Sequence, residues 1–164
     1  MRHRFGIAGG LALGLALVGA TRAAAQERPA VELAAGWAIF VDDAFTFEPA
    51  VGAGVRVPIT RRVSIGPEVF YIVGPESSRS LMITGNVVYD FVPDGRVEPY
   101  VIGGLGLFHH SEQFANETFR STEGAFTAGG GARIWLNPSI YVAPELRVGW
   151  ESHMRATVTV GIRF

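Results

Sequence analysis

Arg155-Ala156-Thr157-Val158-Thr159-Val160-Gly161-Ile162-Arg163-Phe164 closes the chain, and its reading decides the fold. Side chains of an extended segment alternate sides. Ala156, Val158, Val160, Ile162 and Phe164 therefore share one face, and Thr157, Thr159, Gly161 and Arg163 share the other. An apolar face backed by a polar one at period two is a half-buried β-strand. The preceding segment repeats the rule. Ile140, Val142, Pro144, Leu146, Val148 and Trp150 stand against Tyr141, Ala143, Glu145, Arg147 and Gly149. Working back towards the N-terminus gives six more strands of this kind, over 31–41, 48–58, 63–74, 80–91, 97–108 and 124–136, with the last two at 140–150 and 155–164.

The connections fall into two classes. Pro58–Arg62, Val92–Arg96 and Asn137–Ser139 are short and built from turn residues. The others vary: 42–47, 75–79, 151–154 and the long 109–123, which reads as a loop. Tight turns alternating with longer loops put short connections at one end of an up-and-down sheet and variable ones at the other. Gly54-Val55-Arg56-Val57 through Pro67-Glu68 is echoed by Gly131-Ala132-Arg133-Ile134 through Pro144-Glu145, at constant spacing. Each copy is a strand, a tight turn and a strand.

Two architectures fit eight such strands: a soluble barrel with an apolar interior, or a membrane barrel with an apolar exterior. The polar face decides. It carries charges in mid-strand at Arg56, Glu68, Glu98, Arg133, Glu145, Arg147 and Arg163, which a soluble core would not hold unpaired. It is also rich in glycine, at positions 52, 54, 104, 106, 129 and 131. Eight strands leave an interior just wide enough for side chains to fill, so long Arg and Glu need small neighbours. Aromatics at strand ends (Phe40, Tyr71, Tyr89, Phe91, Phe108, Trp135, Trp150 and Phe164) suit the two interfacial girdles. The expected fold is all-β: an eight-stranded antiparallel up-and-down transmembrane β-barrel. Pro67, Pro99 and Pro144 are expected near strand ends or bulges, because proline disrupts an interior ladder.

The first 25 residues stand apart. Arg2 and Arg4, an uncharged Leu/Ala/Gly run to Ala20 and the small residues Ala23-Ala24-Ala25 form the three-part layout of a secretory signal. The expectation is a signal peptide over 1–25, cleaved after Ala25, and one barrel domain over 26–164. The chain has no cysteine, which excludes a disulfide framework, a thiol nucleophile and a thiol-linked lipid anchor. All 14 basic residues are arginine, and the segment after the signal is mildly acidic, a poor match for nucleic acid.

Taken together, the alternation ending in Phe164, the Glu98-Pro99-Tyr100-Val101 start followed by Gly103-Gly104-Leu105-Gly106, and the Gly-rich strand leading to Pro144-Glu145-Leu146-Arg147 resemble the small outer-membrane β-barrel family that includes OmpX and the OmpA transmembrane domain. The resemblance implies residence in the bacterial outer membrane, contact with its lipid and lipopolysaccharide, and delivery by the barrel-assembly machinery. Val158, Val160, Ile162 and Phe164 would be the terminal signature which that machinery reads. The chain is expected to lack the peptidoglycan-binding domain of the longer OmpA-type proteins.

Specific chemistry is sparse. His109-x-Ser111, with Glu112, Glu117 or Glu123 to orient the histidine, has the residue types of a serine hydrolase. Some eight-stranded barrels are lipid A deacylases, but their element lies on a later strand, where this chain has Arg147–His153. Asp42-Asp43 and the loop histidines match no metal motif. No catalytic residue, metal or cofactor is expected. The leading reading is a non-enzymatic envelope or surface-interaction protein, with a lipid A hydrolase and a narrow channel as alternatives.

Overall fold

The computed structural model describes residues 28–41, 45–74, 78–114, 117–149 and 153–164. The expected signal peptide lies outside them, as do Asp42, Asp43 and Trp150. The strands are β1 (Ala30–Val41), β2 (Phe45–Pro58), β3 (Val63–Val73), β4 (Arg79–Asp90), β5 (Val97–Phe114), β6 (Glu117–Asn137), β7 (Ile140–Gly149) and β8 (His153–Arg163). Each pairs antiparallel with its sequence neighbour, and β8 pairs with β1, so the sheet closes. Ala30 pairs with Arg56, the unbroken register across the β2–β3 gap sets Arg56 opposite Gly66, and from Gly66 the partners Asn86, Gly104, Thr127, Gly149 and His153 lead back to β1 at Phe40. That offset is the stagger a barrel needs to tilt its strands and close.

Period-two chemistry maps onto inside and outside. Along β8, Thr157, Thr159 and Gly161 are buried, while Val158, Val160 and Ile162 are exposed. The exterior carries Leu33, Val51, Val69, Ile83, Val87, Val101, Leu105, Leu146 and Val148. In water this apolar jacket would have no partner; in hydrocarbon it is the favourable surface.

The tight turns explain themselves. Thr60 Oγ1 accepts the amides of Arg62 and Val63, and Asn137 Oδ1 accepts those of Ser139 and Ile140. Both are side-chain mimics of a backbone turn. Asp94 takes the left-handed conformation (φ 65°) in the β4–β5 turn, and its amide donates to Glu98 Oε1 at 3.1 Å. By the rule that short turns face the periplasm, this is the periplasmic end.

Three expectations need correction. First, the stretch 109–123, expected as a loop, is strand over 109–114 and 117–123. β5 and β6 stay paired from Val97↔Ile134 out to Phe114↔Glu117. The stretch lost its alternation because, beyond the hydrocarbon, neither face has to be apolar. Its Thr, Phe and Ser content still favours a strand. Second, Pro67 and Pro144 are neither at strand ends nor at bulges. Pro67 pairs with Gly85, and Pro144 pairs with Val158. On the other side of each proline the ladder skips two positions and then resumes in the same register. β2–β3 jumps from Gly54↔Glu68 to Val57↔Ile65, and β6–β7 from Gly131↔Glu145 to Ile134↔Val142. A missing N–H is thus absorbed as a local gap. Gly66 beside the first gap is obligatory, since a Cβ there would lie 1.6 Å from the Val55 carbonyl oxygen. Third, Phe40, Phe108 and Trp135 are on the lumen side rather than in a girdle. Trp37, Phe47 and Phe126 join Tyr71, Tyr89, Phe91 and Phe164 outside.

Val160 sits on the lipid face, between Leu33 of β1 and Val142 of β7. Val160→Arg is expected to cost about 2–4 kcal/mol near the bilayer midplane. Gel migration before and after boiling checks this: the heat-sensitive, compact band should shrink.

Candidate functional site

The functional question turns on what fills the barrel. Glu68 on β3 is the hub. Arg147 on β7 grips it with both terminal nitrogens, Nη2 to Oε2 at 2.7 Å and Nη1 to Oε1 at 3.1 Å. Arg155 on β8 adds Nη2 to Oε1 at 3.0 Å. Arg147 Nε donates to Glu145 at 2.6 Å, whose other oxygen accepts the Tyr100 hydroxyl at 2.8 Å. Arg147 also reaches Asn86 Oδ1 at 3.2 Å, and Asn86 donates to Thr84. The arrangement bridges β3, β4, β5, β7 and β8 across the lumen. A forked guanidinium–carboxylate pair is the strongest form of such a bond. Arg155 is only 1% exposed, and its guanidinium lies 3.6 Å from the centre of the Phe70 ring.

Towards the periplasmic end, Arg56 Nη2 donates to Glu32 at 2.6 Å, and the Tyr141 hydroxyl donates to the same carboxylate. Arg133 pairs with Asp90 at 2.5 Å and Glu98 at 3.7 Å, with its guanidinium over the Tyr100 ring. Glycine makes the room. A Cβ on Gly161 would strike the Tyr141 ring at 2.1 Å, and one on Gly104 would strike Asn86 Oδ1 at 2.1 Å. Between the two groups of charges, a cavity of about 10 Å³ is lined by Glu32, Arg56, Glu68, Tyr100, Glu145 and Arg147 among others. That is room for about one water.

Above the charges, the outer half of the lumen is apolar. Phe70, Ile72, Met82 and Phe108 pack with Ala38, Ala50 and Ala125. Phe, Ile and Met thus join the expected Arg, Glu and Gly in the lumen. Phe108 stacks against His110 and His153 at the mouth, and Ser80 Oγ lies 2.9 Å from His110 Nδ1.

Of the sequence-predicted residues, Glu68, Glu145 and Arg147 meet directly, as do Glu98 and Arg133. Arg56 binds Glu32 instead. Arg163 is outside the buried network, with its guanidinium 4.0 Å from the centre of the Trp135 ring at the periplasmic rim. Glu32, Asp90, Arg155, Tyr100, Tyr141 and Asn86 were not singled out. Strand parity could have found Tyr100, Tyr141 and Arg155, which share a strand face with Glu98, Glu145 and Arg163, whereas β1 and β4, which carry Glu32, Asn86 and Asp90, held no residue singled out for the lumen. Asp90 and Arg155 were obscured by lying near predicted strand ends. Val158, Val160, Ile162 and Phe164 all point outward.

The His109-x-Ser111 element is not a bonded pair in the sense expected. His109 Nδ1 meets Thr122 Oγ1 of β6 at 2.7 Å. Among the described residues no cluster of three or more His, Asp or Glu is placed to hold a metal.

Comparison with known proteins adds the following. The family described as "Outer membrane protein beta-barrel domain" matches residues 10–164. No curated protein matches. Among solved structures, the N-terminal β-barrel domain of Pseudomonas aeruginosa OprF aligns with a TM-score of 0.69 at 17% identity, over 85% of this chain and all of that one. Neisserial surface protein A aligns with 0.68 at 16%, over 83% and 97%. Yersinia pestis Ail, the attachment invasion locus protein, aligns with 0.59 at 12%, over 85% and 100%. At these identities the structures establish a shared fold.

Glu68→Ala would leave Arg147 and Arg155 facing each other without their shared carboxylate. Breaking a buried pair this way costs about 3–5 kcal/mol. Urea titration of the refolded barrel should show that loss. Arg62→Ala in an exposed turn should shift the midpoint little.

Proposed function

The chain belongs to the outer membrane protein β-barrel family, and from that premise we propose that it is a non-catalytic display scaffold whose outward β5–β6 ribbon engages partners at the cell surface. It is an integral protein of the bacterial outer membrane. The observation that carries the proposal is the unequal strand length. Among the described residues, β4 begins at Arg79, paired with Ser111, and β7 pairs with β6 out to Thr127↔Gly149. β5 and β6 run on together to Phe114↔Glu117. A two-stranded ribbon thus projects beyond the barrel wall.

The filled lumen supports the same reading. A rigid, plugged barrel conducts poorly and holds its exposed ribbon still. Non-catalytic action is supported by the engagement of His109 with Thr122 rather than with Ser111. Lipopolysaccharide and bilayer lipid would be its surroundings, and β8 with Phe164 the segment read by the assembly machinery.

Charge narrows the surface partner. Ail has been solved with the heparin analogue sucrose octasulfate. In this chain the segments at the outer end carry Asp42, Asp43, Glu76, Glu112, Glu117, Glu123 and Glu151 against Arg79 and Arg120. Such an end fits a neutral or basic partner better than a sulfated polyanion.

Replacing 112–119 by an Asn-Gly turn, which keeps Ser111 opposite Arg120, tests the proposal. Cells should keep a heat-modifiable barrel but adhere several-fold less to a surface coated with a basic protein. Equal adhesion contradicts the display role. Lipid A of expressing cells should keep its acyl pattern; loss of an acyl chain would make the protein an enzyme. Planar bilayers should show no discrete conductance steps.

A further inference from the structure

The exposed arginines are not spread evenly over the barrel. Arg28, Arg61, Arg62 and Arg96 are exposed at the periplasmic end, where Arg163 stacks half-buried on Trp135. Asp94 is the exposed acid there among the described residues. The opposite end is acidic by sequence, as set out above. The chain after its leader has more acids than bases. A basic rim at one end is therefore a concentration of charge against the overall balance.

Two contacts fix the depth of this rim. Arg62 Nη1 donates to the Tyr89 hydroxyl at 3.2 Å. Tyr89 is on the lipid-facing side, 37% exposed, and meets Phe91 edge-on at 5.4 Å between ring centres. Phe91, Val92, Leu136 and Phe164 are exposed at the same end. Aromatic side chains of this kind sit at the headgroup level of a bilayer. The Arg62 guanidinium is held back against that layer rather than extended into the aqueous phase. Arg61 and Arg96 lie in the two neighbouring tight turns, and Arg163 is pinned by Trp135.

We propose that this arginine rim binds the phosphate groups of anionic phospholipids in the periplasmic leaflet. A guanidinium offers a planar fork of N–H donors that matches two phosphate oxygens. Basic residues beside a membrane surface attract anionic lipid, and the effect fades within a Debye length. The inference rests on the membrane placement and on tight turns facing the periplasm. A carboxylate polymer in the periplasm is the competing anion. It would be met by side chains reaching away from the membrane, whereas Arg62 is tied to a lipid-facing tyrosine.

The test uses the whole barrel refolded into vesicles of phosphatidylcholine with a minority of phosphatidylglycerol. Native mass spectrometry of the extracted protein then counts retained lipids. Wild type should retain phosphatidylglycerol over phosphatidylcholine by roughly fivefold or more relative to the bulk ratio. R61Q/R62Q/R96Q should reduce that preference to near parity, and R79Q, at the outer end, should leave it intact. A heat-modifiable band shows that each variant is still a barrel, which separates failure of the fold from failure of this inference. If the triple variant does not fold, Arg61→Gln and Arg96→Gln made singly should each lower the preference. The proposal is overturned if wild type shows no preference, if R79Q alone removes it, or if the rim variants leave it unchanged. Loss of binding to isolated cell-wall sacculi, without any phospholipid preference, would assign the rim to the carboxylate polymer instead.

Discussion

Hydrocarbon offers no hydrogen-bond partner to a peptide group, so every strand edge within it has to be paired inside the molecule. That constraint organises this chain. Eight strands close because β8 finds β1, and Phe164 donates its amide to the Pro29 carbonyl at the seam. Closure at this strand number fixes a narrow lumen, and a narrow lumen can hold neither open water nor an unpaired charge. The charged groups on the lumen face are thereby driven to pair with one another. Glu68 between Arg147 and Arg155 is the outcome, and the glycines at 104 and 161 are its steric consequence.

The two prolines show how much irregularity the constraint tolerates. Pro67 and Pro144 occupy equivalent places in the internal echo, and each opens a two-position gap in a single ladder. The opposite ladder of each strand is continuous there. A closed sheet survives a missing donor when the register resumes beyond it.

Fold and orientation were legible because lipid imposes the alternation directly on the sequence. Val158, Val160 and Ile162 read as a lipid face once the mid-strand charges of the opposite face had excluded an apolar interior. Legibility failed where that pressure stops. Residues 109–123 leave the hydrocarbon, their faces cease to alternate, and a strand pair reads as a loop. The lumen was half legible. Mid-strand charges betray themselves, but Phe70, Ile72, Met82 and Phe108 look like any apolar residue until parity places them inside. Pairing was legible only in part: Arg56 and Glu32 sit two positions apart across the β1–β2 hairpin, whereas Arg155 on β8 and Glu68 on β3 are joined only by closure.

Function follows from where the free chemistry is left. With the lumen consumed by its own side chains, the surfaces available for recognition are the outward ribbon and the two rims. Exposed arginines gather at the inner rim, while the connections opposite the tight turns are acidic by sequence.

The absence of cysteine makes a direct test simple. Single-cysteine variants from Thr157 to Ile162, spin-labelled in the refolded protein, can be measured for access to oxygen dissolved in lipid. The account predicts strict alternation, with high access at Val158, Val160 and Ile162 and low access at Thr157, Thr159 and Gly161. Access that is uniform along the strand, or highest at the threonines, would contradict an outward apolar face around a filled lumen.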